Sequence, residues 1–508
     1  MPVPTMLLAL AALAAAPALA ATCESLASLK LPDTTITLAE PVAAGAFSAP
    51  TSLPAKGERP SFKDLPAFCR VAATLQPTTD SDIKIEVWMP AAGWNGKFQA
   101  VGNGGWSGNI VYPGLGQALR RGYATSSTDT GHTGGSGSFA LGHPEKLIDF
   151  AWRSEHEMTV KAKAIIAAFY GKGPRLSYWV GCSSGGKQGL MEAQRFPDDY
   201  DGIVAGAPAN YWTHLMVSFI WGAHASFKEP QTHISPAKYR LLHQAALEAC
   251  DARDGVRDGL IEDPPRCRFD PKVLACKDGA DSPDCLTPPQ VEAAHKIYAG
   301  SKNPRTSQQI YPGLEPGSEL AWGPMAAGPN LFSIPDDHFK YVVFRNPSWD
   351  FHTFNFDTDV ALTDKLDNDT GMLNATDPDL TKFAARGGKL LQYHGWNDQL
   401  IAPRNSVNYY TSVLERMGGA AKTTGWFRLF MAPGMGHCRG GEGPDTFDAV
   451  AAIEDWVEKG KAPDRIIASH SADGKVDRTR PLCSYPQIAK YKGSGSTDDA
   501  ANFACVSP

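Results

Sequence analysis

A chain of 508 residues, 43% hydrophobic and 20% charged, has a globular composition and the length for one large domain with an insertion or for two to three ordinary ones. Its net charge of -6 leaves no basic footprint, which argues against a nucleic-acid partner. Forty-nine glycines and 39 prolines imply many loops.

The first segment, MPVPTMLLALAALAAAPALA, is apolar from Met6 onward and ends in the small-residue pattern Ala18-Leu19-Ala20. This reads as a secretory signal peptide over residues 1–20, cleaved after Ala20, although its start carries no Lys or Arg. The run is short of the ~18 residues that a membrane anchor needs, and no later stretch is apolar enough to span a bilayer. Thr22 before Cys23 makes a poor lipid-attachment site. The expectation is a secreted or periplasmic protein with no membrane partner. The ten cysteines fit it, because an even number without a CxxC pair in an exported chain reads as disulfides rather than metal ligands or redox centres.

Between about residues 83 and 210 strands alternate with helices. IKIEVWMP, GKFQAVGNGG, GYATSSTD, RLSYWVG and YDGIVAGAPA read as strands, while FAWRSEHEMTVKAKAIIAAFYG and GKQGLMEAQRFP read as helices. Such alternation implies a mostly parallel sheet covered on both faces. It lapses from residue 211 to about 382, which hold four cysteines, acidic turns, many prolines and the aromatic-dense YVVFRNPSWDFHTFNFD. It resumes with GGKLLQYHGWND, GWFRLFMAPGMGHC and the helical DTFDAVAAIEDWVEKG. The expected fold class is α/β, with one domain built from residues 21–210 and 383–508 and interrupted by an inserted lid over residues 211–382. Near the end, KGSGSTDD reads as a surface loop closed by Cys483 and Cys505.

Gly181-Cys182-Ser183-Ser184-Gly185 fits G-x-S-x-G between a strand and a helix, the context in which a sharp turn lifts a serine hydroxyl above the sheet. Ser184 is the rival nucleophile, but the residue two positions before it is Cys182 rather than glycine. A serine needs a base, and the base needs an orienting carboxylate, which in α/β-hydrolases follow in the order serine, acid, histidine. Asp398 lies in a turn beyond one late strand, and His437 lies in a glycine-rich loop beyond the next. His156, His243 and His295 read as surface or packing residues, and His394 as packing under the Asp398 turn. If His437 takes the Ser183 proton, the two must approach within ~3 Å. Their neighbours Cys182 and Cys438 then fall within disulfide range, so a Cys182–Cys438 bridge is predicted. The oxyanion hole is expected from the backbone N–H of Ser184 with one from Gly104 or Gly105 in VGNGGWSG.

The inserted segment holds CDARDGVRDGLIEDPPRC, in which Asp251, Asp254 and Asp258 crowd into eight residues between Cys250 and Cys267. Carboxylates so close repel one another unless a cation or water separates them, and an all-oxygen set suits Ca²⁺ in a structural role. The spacing is not that of an EF-hand.

These motifs together make the chain resemble the tannase/feruloyl esterase family of secreted α/β-hydrolases, through Cys182-Ser183 in GCSSGG, Asp398 in HGWND, His437-Cys438 in GMGHC, WNGKFQAVGNGGWSG and the Asp-rich loop. The resemblance implies an α/β-hydrolase fold and a serine carboxylesterase for small esters of aromatic acids, feruloyl, galloyl or mono(2-hydroxyethyl) terephthalate. It also implies a calcium site of the Asp251, Asp254 and Asp258 side chains with the Val256 and Leu260 carbonyls, and no organic cofactor. It adds the bridges Cys23–Cys69, Cys250–Cys267, Cys276–Cys285 and Cys483–Cys505. The aromatics between Tyr341 and Phe356 are candidates to stack on a substrate ring or to pack the lid. A binding protein that keeps the fold without turnover is the rival outside the class. The presence of Ser183, Asp398 and His437 together counts against it.

Overall fold

The computed structural model describes residues 21–50, 61–277, 280–326, 330–370 and 373–508. The signal-peptide reading over residues 1–20 lies outside the described residues.

Nine strands form one sheet: β1 (Thr34–Val42), β2 (Phe68–Leu75), β3 (Ile83–Pro90), β4 (Lys97–Val101), β5 (Ala124–Thr128), β6 (Leu176–Cys182), β7 (Gly202–Gly206), β8 (Lys389–Gly395) and β9 (Phe427–Ala432). Their order is β1-β2-β3-β5-β4-β6-β7-β8-β9. From β5 to β9 every neighbour is parallel, while β1, β2, β3 and β5 pair antiparallel. The parallel strands β7 and β9 are short, mainly apolar runs, as expected where both faces of a sheet are covered, while β5, ATSST, is buried throughout but carries hydroxyls. Alternation along each strand sends neighbours to opposite faces. Ile203, Leu390 and Leu429 join a core with Met158, Ala162, Ile165 and Ile166 of the Ser154–Tyr170 helix. Val204, Leu391 and Phe430 join another with Ile453 and Trp456 of the Ala449–Lys459 helix. Two helical layers thus enclose the sheet in an α/β-hydrolase fold.

Among the described residues between β7 and β8, none adds a strand to this sheet. The segment contributes the helices Trp212–Phe227, Pro236–Cys250 and Pro288–Ala299 and a small ribbon, Ser301–Lys302 with Gln309–Tyr311. Trp212, Phe219, Leu242, Trp322, Phe339 and Trp349 from this segment share a core with Trp106 and Phe150 of the sheet-bearing part. The indole of Trp106 donates to the Ile334 carbonyl at 3.0 Å and meets the Trp212 ring edge-on at 4.8 Å. The segment therefore rests on the loop that follows β4. In its aromatic stretch Trp349, Phe351 and Phe354 are buried as packing, and Phe354 meets Phe339, just before the stretch, at 4.9 Å.

Beyond β9 two hairpins close the chain, Arg465–Ala472 with Lys475–Cys483 and Ile488–Tyr491 with Phe503–Val506. All ten cysteines are paired: 23–69, 182–438, 250–267, 276–285 and 483–505.

Candidate active site

β6 ends at Cys182, and the Ser184–Arg195 helix starts two residues later. The chain makes this corner by placing Ser183 at φ 63°, ψ -123°, a conformation L-residues rarely adopt. Neighbouring backbone holds it there. The Ser183 N–H donates to the Gly206 carbonyl at 3.0 Å, and the Ser183 carbonyl accepts from Ala209 at 3.1 Å and Lys187 at 3.0 Å. The flanking glycines are steric requirements. A Cβ at Gly181 would lie 2.4 Å from the Gly185 carbonyl oxygen, and one at Gly185 would lie 2.9 Å from that of Asn103. Ser183 is half-buried and stands at the N-terminus of the Ser184–Arg195 helix, whose dipole favours negative charge there.

Asp398 follows β8 in a tight turn and is fully buried. Its Oδ1 accepts from the Leu400 and Ile401 N–H groups at 2.8 and 3.0 Å. Its Oδ2 lies 2.7 Å from His437 Nδ1 and 3.0 Å from His394 Nε2. His394 Nε2 also faces the Ile401 carbonyl at 3.0 Å, so with two acceptors before it this nitrogen carries the proton. Its Nδ1 then accepts from the Ser406 hydroxyl at 2.7 Å. Burial alone would raise the Asp398 carboxyl. The His437 charge and the hydrogen bonds from His394 and His437 outweigh it and hold Asp398 well below the usual carboxylate range. Burial pulls the His437 imidazole down, and the Asp398 carboxylate more than offsets this, so His437 stands above its ordinary value.

His437 sits on the loop after β9, which passes close over the end of β8: a Cβ at Gly395 would meet the Met435 carbonyl oxygen at 2.2 Å. The next residue, Cys438, is bonded to Cys182 with an S–S distance of 2.02 Å and Cα atoms 6.0 Å apart. The residue before Ser183 is thereby joined to the residue after His437.

The β4 loop lies against the corner. The Ser184 hydroxyl donates to the Gly105 carbonyl at 3.0 Å, and the Gly185 N–H donates to the Asn103 carbonyl at 2.7 Å. Gly105 has φ +54°, and a Cβ there would press on Ile334 at 2.9 Å, whereas Gly104 faces open space. Asn103 ties this loop down by donating from Nδ2 to the Asn109 and Thr128 carbonyls at 3.0 and 2.9 Å. Sequence reasoning missed Asn103 and the bond from His394 to the acid. His394 was read only as packing, because the placement of its ring depends on how β8 pairs with its neighbours. The asparagine in VGNGG was the one visible signal for Asn103.

The acidic loop folds as expected of crowded carboxylates. Asp251 accepts from the Asp258 and Gly259 N–H groups at 3.2 and 3.0 Å, Asp254 from Val256 at 3.1 Å, and Asp258 from Leu260 at 3.2 Å. Burial, with the charges of Asp258 and Asp251 added, pushes Asp254 up to about 6, and burial raises Asp251 as well. Arg480 holds the second oxygen of Asp258, and Val256 packs with Cys483, Ala489 and Phe503 of the C-terminal hairpins. The donor types, carboxylates and carbonyls, suit a hard divalent cation, with Arg480 neutralising one of them and the three carboxylates not gathered within 4.8 Å as a group.

Comparison with known proteins gives a consistent result. The family model for tannase and feruloyl esterase matches residues 69–506. An uncharacterised esterase of Xanthomonas campestris is 42% identical, covering 98% of this chain and 94% of its own. A probable feruloyl esterase B-2 of Aspergillus terreus is 35% identical, covering 99% and 98%. The crystal structure of feruloyl esterase B from Aspergillus oryzae superposes with a TM-score of 0.88 at 32% identity, covering 95% of this chain and 99% of that one. The chain belongs to the tannase and feruloyl esterase family and is a carboxylic ester hydrolase.

Proposed function

We propose that this esterase hydrolyses esters of aromatic acids of the hydroxycinnamic, feruloyl type through a Ser183-His437-Asp398 triad and an acyl-enzyme. The observation that carries the reading is the Cys182–Cys438 bond, which joins the strained serine corner to the histidine loop while His437 is already held by Asp398. Ser183 Oγ attacks the ester carbonyl as His437 Nε2 takes its proton, and that proton then passes to the leaving alcohol. Asp398 fixes the Nδ1–H tautomer and stabilises the imidazolium that forms. The N–H of Ser184, with one from Gly104 or Gly105, receives the charge developing on the carbonyl oxygen. Water, activated by the same imidazole, releases the acid. The feruloyl preference is supported by the names of the relatives from A. terreus and A. oryzae.

The remaining readings stand with this one. Residues 211–382 act as a lid over residues 21–210 and 383–508, which the packing of Ile334 on Gly105 supports. Ca²⁺ bound by Asp251, Asp254 and Asp258 with the Val256 and Leu260 carbonyls supplies charge neutralisation that stiffens the loop, and it takes no part in the chemistry. Export is supported by five disulfides with no free cysteine.

The test is pre-steady-state hydrolysis of a p-nitrophenyl ester, with methyl ferulate, methyl gallate and a terephthalate monoester compared by kcat/KM. A burst of one chromophore per enzyme, absent in Ser183→Ala, and a preference for ferulate are expected. Turnover that persists in Ser183→Ala overturns the triad, and a preference for gallate or terephthalate overturns the substrate assignment.

A further inference from the structure

A second cluster of chemistry-bearing side chains lies near the C-terminal end of the helix that follows Ser183. His156 comes from the first turn of the Ser154–Tyr170 helix, Glu192 from the last turns of the Ser184–Arg195 helix, and Asp199 from the turn leading to β7. Among the described residues, only these three His, Cys, Asp or Glu side chains bring their donor atoms within 4.8 Å of one another as a group. His156 Nδ1 stands 2.7 Å from Asp199 Oδ2. The imidazole lies flat on the Phe196 ring at 3.8 Å, which sets its plane. Glu192 is 1% exposed, and no donor reaches its Oε2.

A carboxylate buried to that degree without a donor is costly. The cation at hand is Lys163, seven residues and two turns further along the same helix as His156. It donates to the Asp199 backbone carbonyl rather than to either carboxylate. Arg386 is engaged elsewhere, with Asp201 at 2.8 Å. Two carboxylates and one imidazole thus converge with no donor for the buried oxygen. Ligands around a four-coordinate Zn²⁺ stand about 3.4 Å apart, close to the spacing of three atoms gathered within 4.8 Å. His156 is 29% exposed at its side chain and Asp199 12%, so water and ions have a path in from the surface.

We propose that His156 Nδ1, Glu192 and Asp199 form a binding site for a divalent transition-metal ion of the Zn²⁺ class, distinct from the acidic loop at residues 251–258. One imidazole nitrogen with two carboxylates is a borderline-soft set that favours such ions over Ca²⁺. Three protein ligands leave a position for water. The role is structural: the ion joins the nucleophile helix to the helix beside it and to the turn before β7.

The experiment is calorimetric titration of the full chain with Zn²⁺ in saturating Ca²⁺, alongside the absorption spectrum on adding Co²⁺. One saturable equivalent is expected, with a d–d band from Co²⁺ and affinity weakened at least ~10-fold in both His156→Ala and Glu192→Gln. Aryl-ester turnover of each variant reports that it has folded. His156 is partly exposed, so its variant keeps the test decisive if Glu192→Gln does not fold. No saturable binding, binding unchanged in His156→Ala, or binding lost instead in Asp254→Asn overturns the proposal.

Discussion

Removing the Cys182–Cys438 bond through Cys182→Ala with Cys438→Ala separates its two consequences. The bridge closes a loop of 256 residues, for which the chain-entropy model gives about 5.5 kcal/mol, against a measured range for disulfides of about 2–4 kcal/mol. The bridges of 17 and 9 residues enclosed in that loop change the figure by only about 0.1 kcal/mol, because the dependence on length is logarithmic. For a chain of this size the unfolding entropy is about 1 kcal/mol/K, so a loss of ~3 kcal/mol lowers Tm by about 3 °C. The catalytic loss is larger. Cys438 has φ 65°, so without its sulfur the histidine loop has less to hold it against the serine corner. A misplacement of about 1 Å between reacting groups costs roughly 100-fold in rate. Calorimetry and kcat on a p-nitrophenyl ester read the two effects. A lowered Tm with kcat within about twofold of the parent would refute the reasoning that the bridge positions Ser183 and His437.

Asp398→Asn leaves the packing intact but removes the charge that raises His437. His437 serves as base only when neutral, so the parent loses activity as pH falls through a value above the ordinary ~6.5. In the variant this acid limb moves to lower pH while kcat drops by about 10⁴, both visible in a pH–rate profile. Gly181→Ala sets a Cβ 2.4 Å from the Gly185 carbonyl oxygen and costs about 1–3 kcal/mol in denaturant unfolding, whereas Gly104→Ala, facing open space, leaves stability unchanged. Withdrawing Ca²⁺ at fixed Zn²⁺ lowers Tm by about 3 °C, the effect of losing a ligand present at ~100 times its Kd, and Asp254→Asn abolishes that response.

The parts of the fold legible in the sequence were those written in local pattern. β3, β4 and β6 to β9 are short, largely apolar runs bounded by turn residues, β5 shows its β-branched threonines instead, and GCSSGG carries its own steric logic in two glycines. β1 was not read as a strand: it is a half-exposed edge with Pro41 near its end, so its periodicity is weak. The Arg465–Cys483 hairpin was missed despite a usable signal, Asp473-Gly474 at φ 51° and 74°, the backbone that a two-residue hairpin turn demands. The Cys182–Cys438 pairing was derivable because chemistry, not local pattern, requires the two loops to meet. No such requirement reveals His394 beneath Asp398 or brings His156, Glu192 and Asp199 together, since each contact depends on how separate elements pack.

The measurement that bears most directly on the mechanism is labelling with a fluorophosphonate, followed by peptide mapping of the unreduced protein. The account predicts one phosphonate per chain on Ser183, blocked by substrate, in a peptide still crosslinked through Cys182 to the peptide bearing His437. Label on Ser184, or Cys182 bonded to any cysteine other than Cys438, contradicts it.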